Sequence, residues 1–423
     1  MAATIELDVE RPVAGGRMLA RHDGQIVLVA GAIPGERVRA RVERTARHTI
    51  FASVVDVLEA SAWRRTPFCD PRCGGSAYAH IAPEHQRTLK AAVVADALRR
   101  LGGVTIDPPS MAGASEEGYR LRARLHVQAG RAGFFLEDTH TLCDAAATRQ
   151  LTPDALLAAD ALLAALGDAA SMVDVIVVSE NVEASARVLH LELKTGARAA
   201  QLEERVRRAE GVTGVTARAG ARLIALTGVP TVTDRADALF NGAPPIPAST
   251  EWTRSGASFF QGNRFLIGDL VSHVLACTDR TRVLDLYSGV GLFAVALAAR
   301  GATVTAVEGD ASSGDDLELN AARWPSHIVV RRGSVEDVTP ALTAGDLDAI
   351  VLDPPRTGAS AQALASIVAL AAPRIVYVSC DPATLARDVK LLLAAGYRLA
   401  SVNGFDLFPN TAHVETVAVF DRT

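Results

Sequence analysis

Cys380 stands in Ser379-Cys380-Asp381-Pro382, directly after the apolar β-type run Ile375-Val376-Tyr377-Val378. A thiol at the carboxyl end of a strand in an α/β domain lies where open sheets place their active sites. The Asp-Pro pair that follows turns the chain there. The competing reading is a small buried hydrophobe, a common use of free cysteine. Farther along, Glu415 closes the stretch Phe408-Pro409-Asn410-Thr411-Ala412-His413-Val414-Glu415, just before a last strand from Thr416 to Phe420. A thiol with a separate carboxylate suits addition to an electrophile followed by proton removal. His413 is a competing base in the same stretch, although loop histidines are more often structural.

Upstream of these residues lies a loop that can hold a cofactor. Arg282-Val283-Leu284-Asp285-Leu286 reads as a buried strand that runs into Tyr287-Ser288-Gly289-Val290-Gly291 and a helix. Glycines at a helix N-terminus let the backbone approach a ligand. The next strand, Thr303 to Val307, ends at Glu308, about 20 residues past the glycine turn, where a carboxylate binds ribose hydroxyls. Gly289-x-Gly291-x-x-Ala294 formally satisfies the dinucleotide pattern, so a nicotinamide-dependent oxidoreductase is one reading. Two features favour S-adenosylmethionine instead: Asp285 before the glycine turn, and Asp353-Pro354-Pro355-Arg356 ending a strand over Leu347 to Leu352. A rigid acid-Pro-Pro turn holds a carbonyl and a carboxylate at a cofactor's edge.

A methyl donor beside a cysteine narrows the chemistry. Methylation at C5 of a pyrimidine needs a thiolate to add at C6, making C5 nucleophilic, and a base to take the C5 proton afterwards. Cys380 and Glu415 are the candidates for those two roles.

The elements that must position them belong to a chain of 423 residues, long enough for two or three domains. Residues 1–60 read as short strands between turns at Gly15-Gly16, Asp23-Gly24 and Pro34-Gly35. In Arg37-Val38-Arg39-Ala40-Arg41-Val42-Glu43-Arg44 the alternation sets a nearly single-signed guanidinium stripe on one strand face, suited to RNA phosphates. With Ile33-Pro34-Gly35-Glu36-Arg37-Val38 this region resembles a TRAM domain, a small OB-like RNA-binding barrel. Residues 61–245 mix strands and helices, an α+β region expected to recognise RNA. Asn241 to Pro247 reads as a linker, and residues 246–423 alternate strand and helix as a doubly wound parallel sheet. The net charge of −5 leaves the partner open. The N-terminus lacks a signal-peptide pattern, and no apolar stretch reads as long and charge-free enough to span a bilayer. A cytoplasmic protein with no obligate protein partner is the expectation.

Phe259-Phe260-Gln261-Gly262-Asn263, Asp285 to Gly291, Asp353 to Arg356, Ser379 to Asp388 and Phe408 to Glu415 occur in that order. Together they resemble the RNA uracil-5 methyltransferase family, class I S-adenosylmethionine-dependent enzymes that modify uridines in ribosomal or transfer RNA. The resemblance implies that Gln261, Tyr287, Glu308 and Asp353 bind S-adenosylmethionine. It makes Cys380 the nucleophile and Glu415 the base. A cytosine-5 RNA methyltransferase is the close variant. A non-catalytic RNA-binding protein is a different class, and it needs neither Cys380 nor Glu415.

Many members of that family hold a four-iron, four-sulfur cluster on four cysteines. Here Cys69 and Cys73 are followed by Gly74-Gly75-Ser76, so serine replaces the third ligand, and Cys143 falls short of the expected fourth position. No metal and no iron–sulfur cluster are expected. Five cysteines in so long a chain do not suggest a disulfide framework either, and the Cys-Gly-Gly stretch reads as a structural turn.

Overall fold

The computed structural model describes residues 3–220, 222–279 and 281–423. The first five strands, β1 (Thr4–Pro12), β2 (Met18–His22), β3 (Gln25–Ala30), β4 (Arg37–Ala46) and β5 (Thr49–Glu59), close into a barrel in the order β1-β2-β3-β5-β4. Alternation fills it: Leu7, Val27, Val29, Val38 and Ala40 point inward and are buried. The Ile33–Glu36 turn is locked by Glu36, a buried carboxylate that accepts from Ile33 N (2.8 Å), Ser61 N (3.1 Å) and the Arg64 guanidinium (2.6 Å). The guanidinium stripe proves less single-signed than its sequence suggests. Arg39 pairs with Asp56 at 2.9 Å and Arg37 with Glu6 at 3.1 Å, because neighbouring strands present carboxylates to it.

After the barrel, a helix over Pro83–Ala97 and the short strand β6 (Met111–Ala112) lead into the central region. There β7 (Arg122–Gln128), β8 (Arg131–Phe135), β9 (Leu142–Cys143), β10 (Val173–Glu180), β11 (Arg187–Leu193), β12 (Gly214–Ala219) and β13 (Arg222–Gly228) form one sheet. Its order is β13-β12-β11-β10-β7-β8-β9. One face is covered by the Pro153–Leu166 helix, whose Ala155, Ala159, Leu162 and Leu166 are buried against Leu125, Ile176 and Leu189. The run Pro153–Met172 has the length and hydropathy of a membrane span, but this packing marks it as a core helix. The other face carries Arg122 and Arg218, which reach Ala257 O and Ser312 Oγ of the C-terminal part.

A hairpin of β14 (Thr231–Arg235) and β15 (Glu251–Ser255) precedes the C-terminal sheet. That sheet contains β16 (Arg282–Leu286), β17 (Thr303–Glu308), β18 (Ile328–Arg332), β19 (Ala349–Leu352), β20 (Arg374–Ser379), β21 (Tyr397–Phe405) and β22 (Glu415–Arg422). The order is β18-β17-β16-β19-β20-β22-β21-β6. Strands β18 to β20 pair in parallel, and β22 returns antiparallel beside β20. The doubly wound sheet expected from the alternating elements is therefore present. Order reverses at β16, whose neighbours are β17 on one side and β19 on the other, so ligands are expected outside these carboxyl ends. The Pro83–Ala97 helix packs Val94 and Ala97 against Leu385, Ala386 and Val389, and β6 extends the C-terminal sheet beside β21.

Candidate active site

Most candidate side chains sit at a strand terminus. Tyr287 follows β16 with φ 58°, and Gly289 and Gly291 continue the left-handed turn at φ 56° and 90°. A Cβ on Gly291 would meet Leu317 Cδ1 at 2.8 Å, so close packing as well as backbone conformation requires glycine there. Glu308, ending β17, accepts from Gly289 N at 2.7 Å and from Asp310 N at 2.6 Å. A carboxylate can accept about four bonds, which leaves capacity for ribose hydroxyls. Asp353, after β19, accepts from Gln261 Nε2 at 2.9 Å. Gln261 is carried by the segment after β15, where the Arg254 guanidinium lies 4.1 Å over the Phe260 ring and pairs with buried Asp234.

These residues converge on one cavity of about 590 Å³. Gln261, Tyr287, Glu308, Asp353, Cys380 and Glu415 all line it. The chain thus gathers these six residues across more than 150 positions, because the parallel strands deliver their carboxyl ends to one edge, where the last antiparallel strand begins. Asp285 and His413 do not line the cavity. The motifs did not single out Arg122, Arg356 and Phe408 for a role, yet they line the same cavity. Arg356 was visible as the end of Asp-Pro-Pro-Arg, whereas Arg122 had only the alternation of its strand to mark it. His413 is exposed, and its Nε2 lies 3.5 Å from Arg356 Nη2, a poor setting for a base.

Three acidic groups of the cavity are raised above their ordinary values. Burial, with the neighbouring Asp353 carboxylate, raises Glu415 well above the usual range, and Arg356 opposes this. Burial pushes Asp353 up to about 7 despite the Gln261 hydrogen bond. Cys380 is pushed up to about 12 by burial and by Glu415 and Asp353, again opposed by Arg356. Among the described residues, one Glu415 oxygen is buried with no hydrogen-bond partner, as are both oxygens of Asp285 below the glycine loop. Unpaired buried acceptors of this kind suit a ligand that brings donors and positive charge. With the open glycine turn and Glu308, the residues present fit S-adenosylmethionine.

A buried ion pair fixes the segment that leads to Glu415. Lys90, on the Pro83–Ala97 helix, donates to Asp406 Oδ1 at 2.5 Å and to Phe408 O at 3.0 Å. Lys90 and Asp406 are 1% and 3% exposed, so removing one partner strands a charge in the core. Lys90→Met is expected to cost about 3–5 kcal/mol in urea unfolding. The double variant Lys90→Met/Asp406→Leu should recover most of that loss, and equal destabilisation of the two would contradict the assignment.

The cysteine-rich turn departs from its sequence reading. Cys73 and Cys143 form a disulfide with Cα atoms 5.8 Å apart, although no such pairing was expected. The reason is tertiary. Cys73 bridges Leu136 antiparallel, Gly74 N donates to Phe135 O at 3.0 Å, and the β8–β9 pairing sets Cys143 opposite Phe134. A separation of 70 residues is closed by that hairpin. Cys69 is a free, partly buried thiol, and Ser76 is buried. One thiol, one disulfide and one hydroxyl do not fit a cluster held by four thiolates.

The family model described as tRNA (Uracil-5-)-methyltransferase matches residues 249–423, and a TRAM domain model matches residues 2–55. The 23S rRNA (uracil(1939)-C(5))-methyltransferase RlmD of Halomonas elongata is 33% identical over 99% of this chain and 89% of its own. The enzyme of the same name from Pseudomonas putida is 34% identical over 98% of this chain and 93% of its own. Among solved structures, the Pyrococcus abyssi tRNA (uracil-54, C5)-methyltransferase in complex with S-adenosyl-L-homocysteine shares the fold. It aligns with a TM-score of 0.76 and 21% identity over 98% of this chain and 99% of that one.

Proposed function

We propose, for a chain that belongs to the RNA uracil-5-methyltransferase family, that Cys380 and Glu415 carry out methylation of a uridine through a covalent adduct. The enzyme is an S-adenosylmethionine-dependent RNA uracil-C5 methyltransferase, and its substrate class is RNA. The observation that carries the proposed mechanism is a single cavity containing a thiol, a buried carboxyl and the cofactor-binding candidates.

In this mechanism Gln261, Tyr287, Glu308 and Asp353 bind and orient the cofactor, which supplies the methyl group. Cys380 loses its proton to solvent and its sulfur adds to C6 of the uracil ring. The C5–C6 π electrons shift to C5 and onto the C4 carbonyl oxygen, and C5 then takes the methyl group. Glu415, as its carboxylate, removes the remaining C5 proton. Those electrons re-form the C5–C6 double bond and expel the Cys380 sulfur. Arg356 acts by charge, opposing the rise in both acids and so favouring the thiolate and the carboxylate that the steps require.

The direct test uses RNA carrying tritium at uridine C5. Incubation with S-adenosylmethionine is expected to release tritium to water in a one-to-one ratio with 5-methyluridine formed. Methyl incorporation at another atom, or only into cytidine, would overturn the reading.

A further inference from the structure

Among the described residues, Arg122 is a cation without an anion. It lies on β7 in the outward-facing set that also holds Arg124 and His126, opposite Ser179, Val177 and Val175 of β10. Glu192 and His190 of β11 come next on that face. The Glu192 carboxylate is taken through both oxygens by Arg124. Arg122 has one bond, Nη2 to Ala257 O at 3.3 Å, and its Nε is buried with no partner. Among the described residues no carboxylate lies in ion-pair range of it. Burial and the neighbouring Arg124 hold its guanidinium down to about 10. Leaving a partly buried cation unpaired is costly, so its retention needs a bound anion or another purpose.

The position shows what anion would fit. Arg122 and Ala257 line the catalytic cavity, and Ala257 also lines a second hollow of about 340 Å³ with His190, Lys194, Arg218 and Glu192, whose carboxylate is already taken by Arg124. The two spaces meet at Ala257, so a cationic track runs from the sheet face to the cavity mouth. A nucleotide whose base enters the cavity leaves its charged backbone outside, crossing that mouth. Free cofactor has one carboxylate, which could occupy Arg122 but would leave Lys194 and Arg218 unused. Arg218 also donates to Ser312 Oγ at 2.8 Å, which holds this track against the C-terminal domain.

We propose that Arg122 seats a backbone phosphate of the RNA beside the target uridine, and that Lys194 and Arg218 continue that phosphate track. The proposal rests on the RNA-methyltransferase reading. Arg122→Met breaks no ion pair, so the thermal midpoint is expected to hold or rise, whereas a purely structural arginine would lower it. Binding of a fluorescein-labelled oligouridylate, followed by anisotropy across a salt series, should lose about 0.7 from the slope of log affinity against log salt. At about 0.1 M salt that amounts to a roughly five-fold loss of affinity. Arg122→Lys keeps the charge and should keep the slope. Titration of S-adenosylhomocysteine by calorimetry should be unchanged in both variants.

An unchanged slope in Arg122→Met overturns the proposal. So does a slope lost equally in Arg122→Lys, or a fall in S-adenosylhomocysteine affinity with RNA binding intact, which would assign Arg122 to the cofactor carboxylate. The underlying reading fails separately, if wild-type protein makes no 5-methyluridine, because the slope comparison needs binding alone.

Discussion

Cys380→Ala is expected to lower methylation of uridine in RNA by about 10⁴-fold or more, the scale seen when a covalent nucleophile is removed. No neighbouring group can substitute. Among the described residues the other free thiols are Cys69 and Cys277, and neither lines the cavity. With RNA bearing 5-fluorouridine at the target, wild type should form a protein–RNA adduct stable in denaturing gels. Fluorine cannot leave as a proton, so the last elimination stalls after methyl transfer. An equal adduct with Cys380→Ala would sink the mechanism. The resting thiol is raised to about 12, which sets its pH behaviour. Alkylation of Cys380 by iodoacetamide in the ligand-free enzyme should be slow at neutral pH. It should climb about tenfold per pH unit until the medium approaches that value, since only the thiolate reacts. S-Adenosylmethionine, with its positive sulfonium, should speed alkylation at pH 7 more than S-adenosylhomocysteine does. Identical rates with both would remove charge as the cause.

Glu415→Gln is expected to separate attack from release. Turnover should fall by about 10²–10⁴-fold, the usual contribution of a positioned base. The same variant should accumulate a methylated covalent complex with ordinary, unfluorinated RNA, detectable by mass spectrometry. The amide keeps the size and the hydrogen-bonding shape of the side chain but cannot accept the C5 proton. Normal turnover by this variant would assign the base elsewhere, with Asp353 the next carboxylate in the cavity. For wild type, the sign of the pH effect follows from burial. Glu415 is raised well above the ordinary carboxylate range, so the fraction able to accept a proton grows as pH rises. Activity should therefore fall on acidification at a higher pH than an exposed glutamate would produce.

Strand ends, turns and chemistry-bearing residues were legible in the linear sequence because they are local. Asp285, Glu308, Asp353 and Cys380 each follow an apolar run by zero or a few residues, and parallel sheets place such positions on one edge. The barrel was legible through its glycine turns and the alternating β4 strand. The sign of the barrel's stripe was not, because Glu6 and Asp56 reach Arg37 and Arg39 from other strands. The Cys73–Cys143 bridge was equally hidden, since spacing along the chain says nothing about a hairpin that folds back 70 residues later.

By itself, then, the sequence marked where the proposed chemistry would sit: a thiol, a carboxylate and a glycine turn with its acidic partner, each carried by a motif whose local geometry is set by its own residues. Only the tertiary structure decided how charge is distributed around that chemistry. Burial and the mutual proximity of Cys380, Asp353 and Glu415 raise all three above their ordinary values, and no single motif encodes that proximity. Lys90 and Arg122 show the same division. Each comes from a segment outside the C-terminal domain, one neutralised by Asp406 in the core and the other left without a carboxylate at the cavity mouth. Electrostatic energy depends on distance through space and on exclusion of water, and a chain acquires both only when it folds.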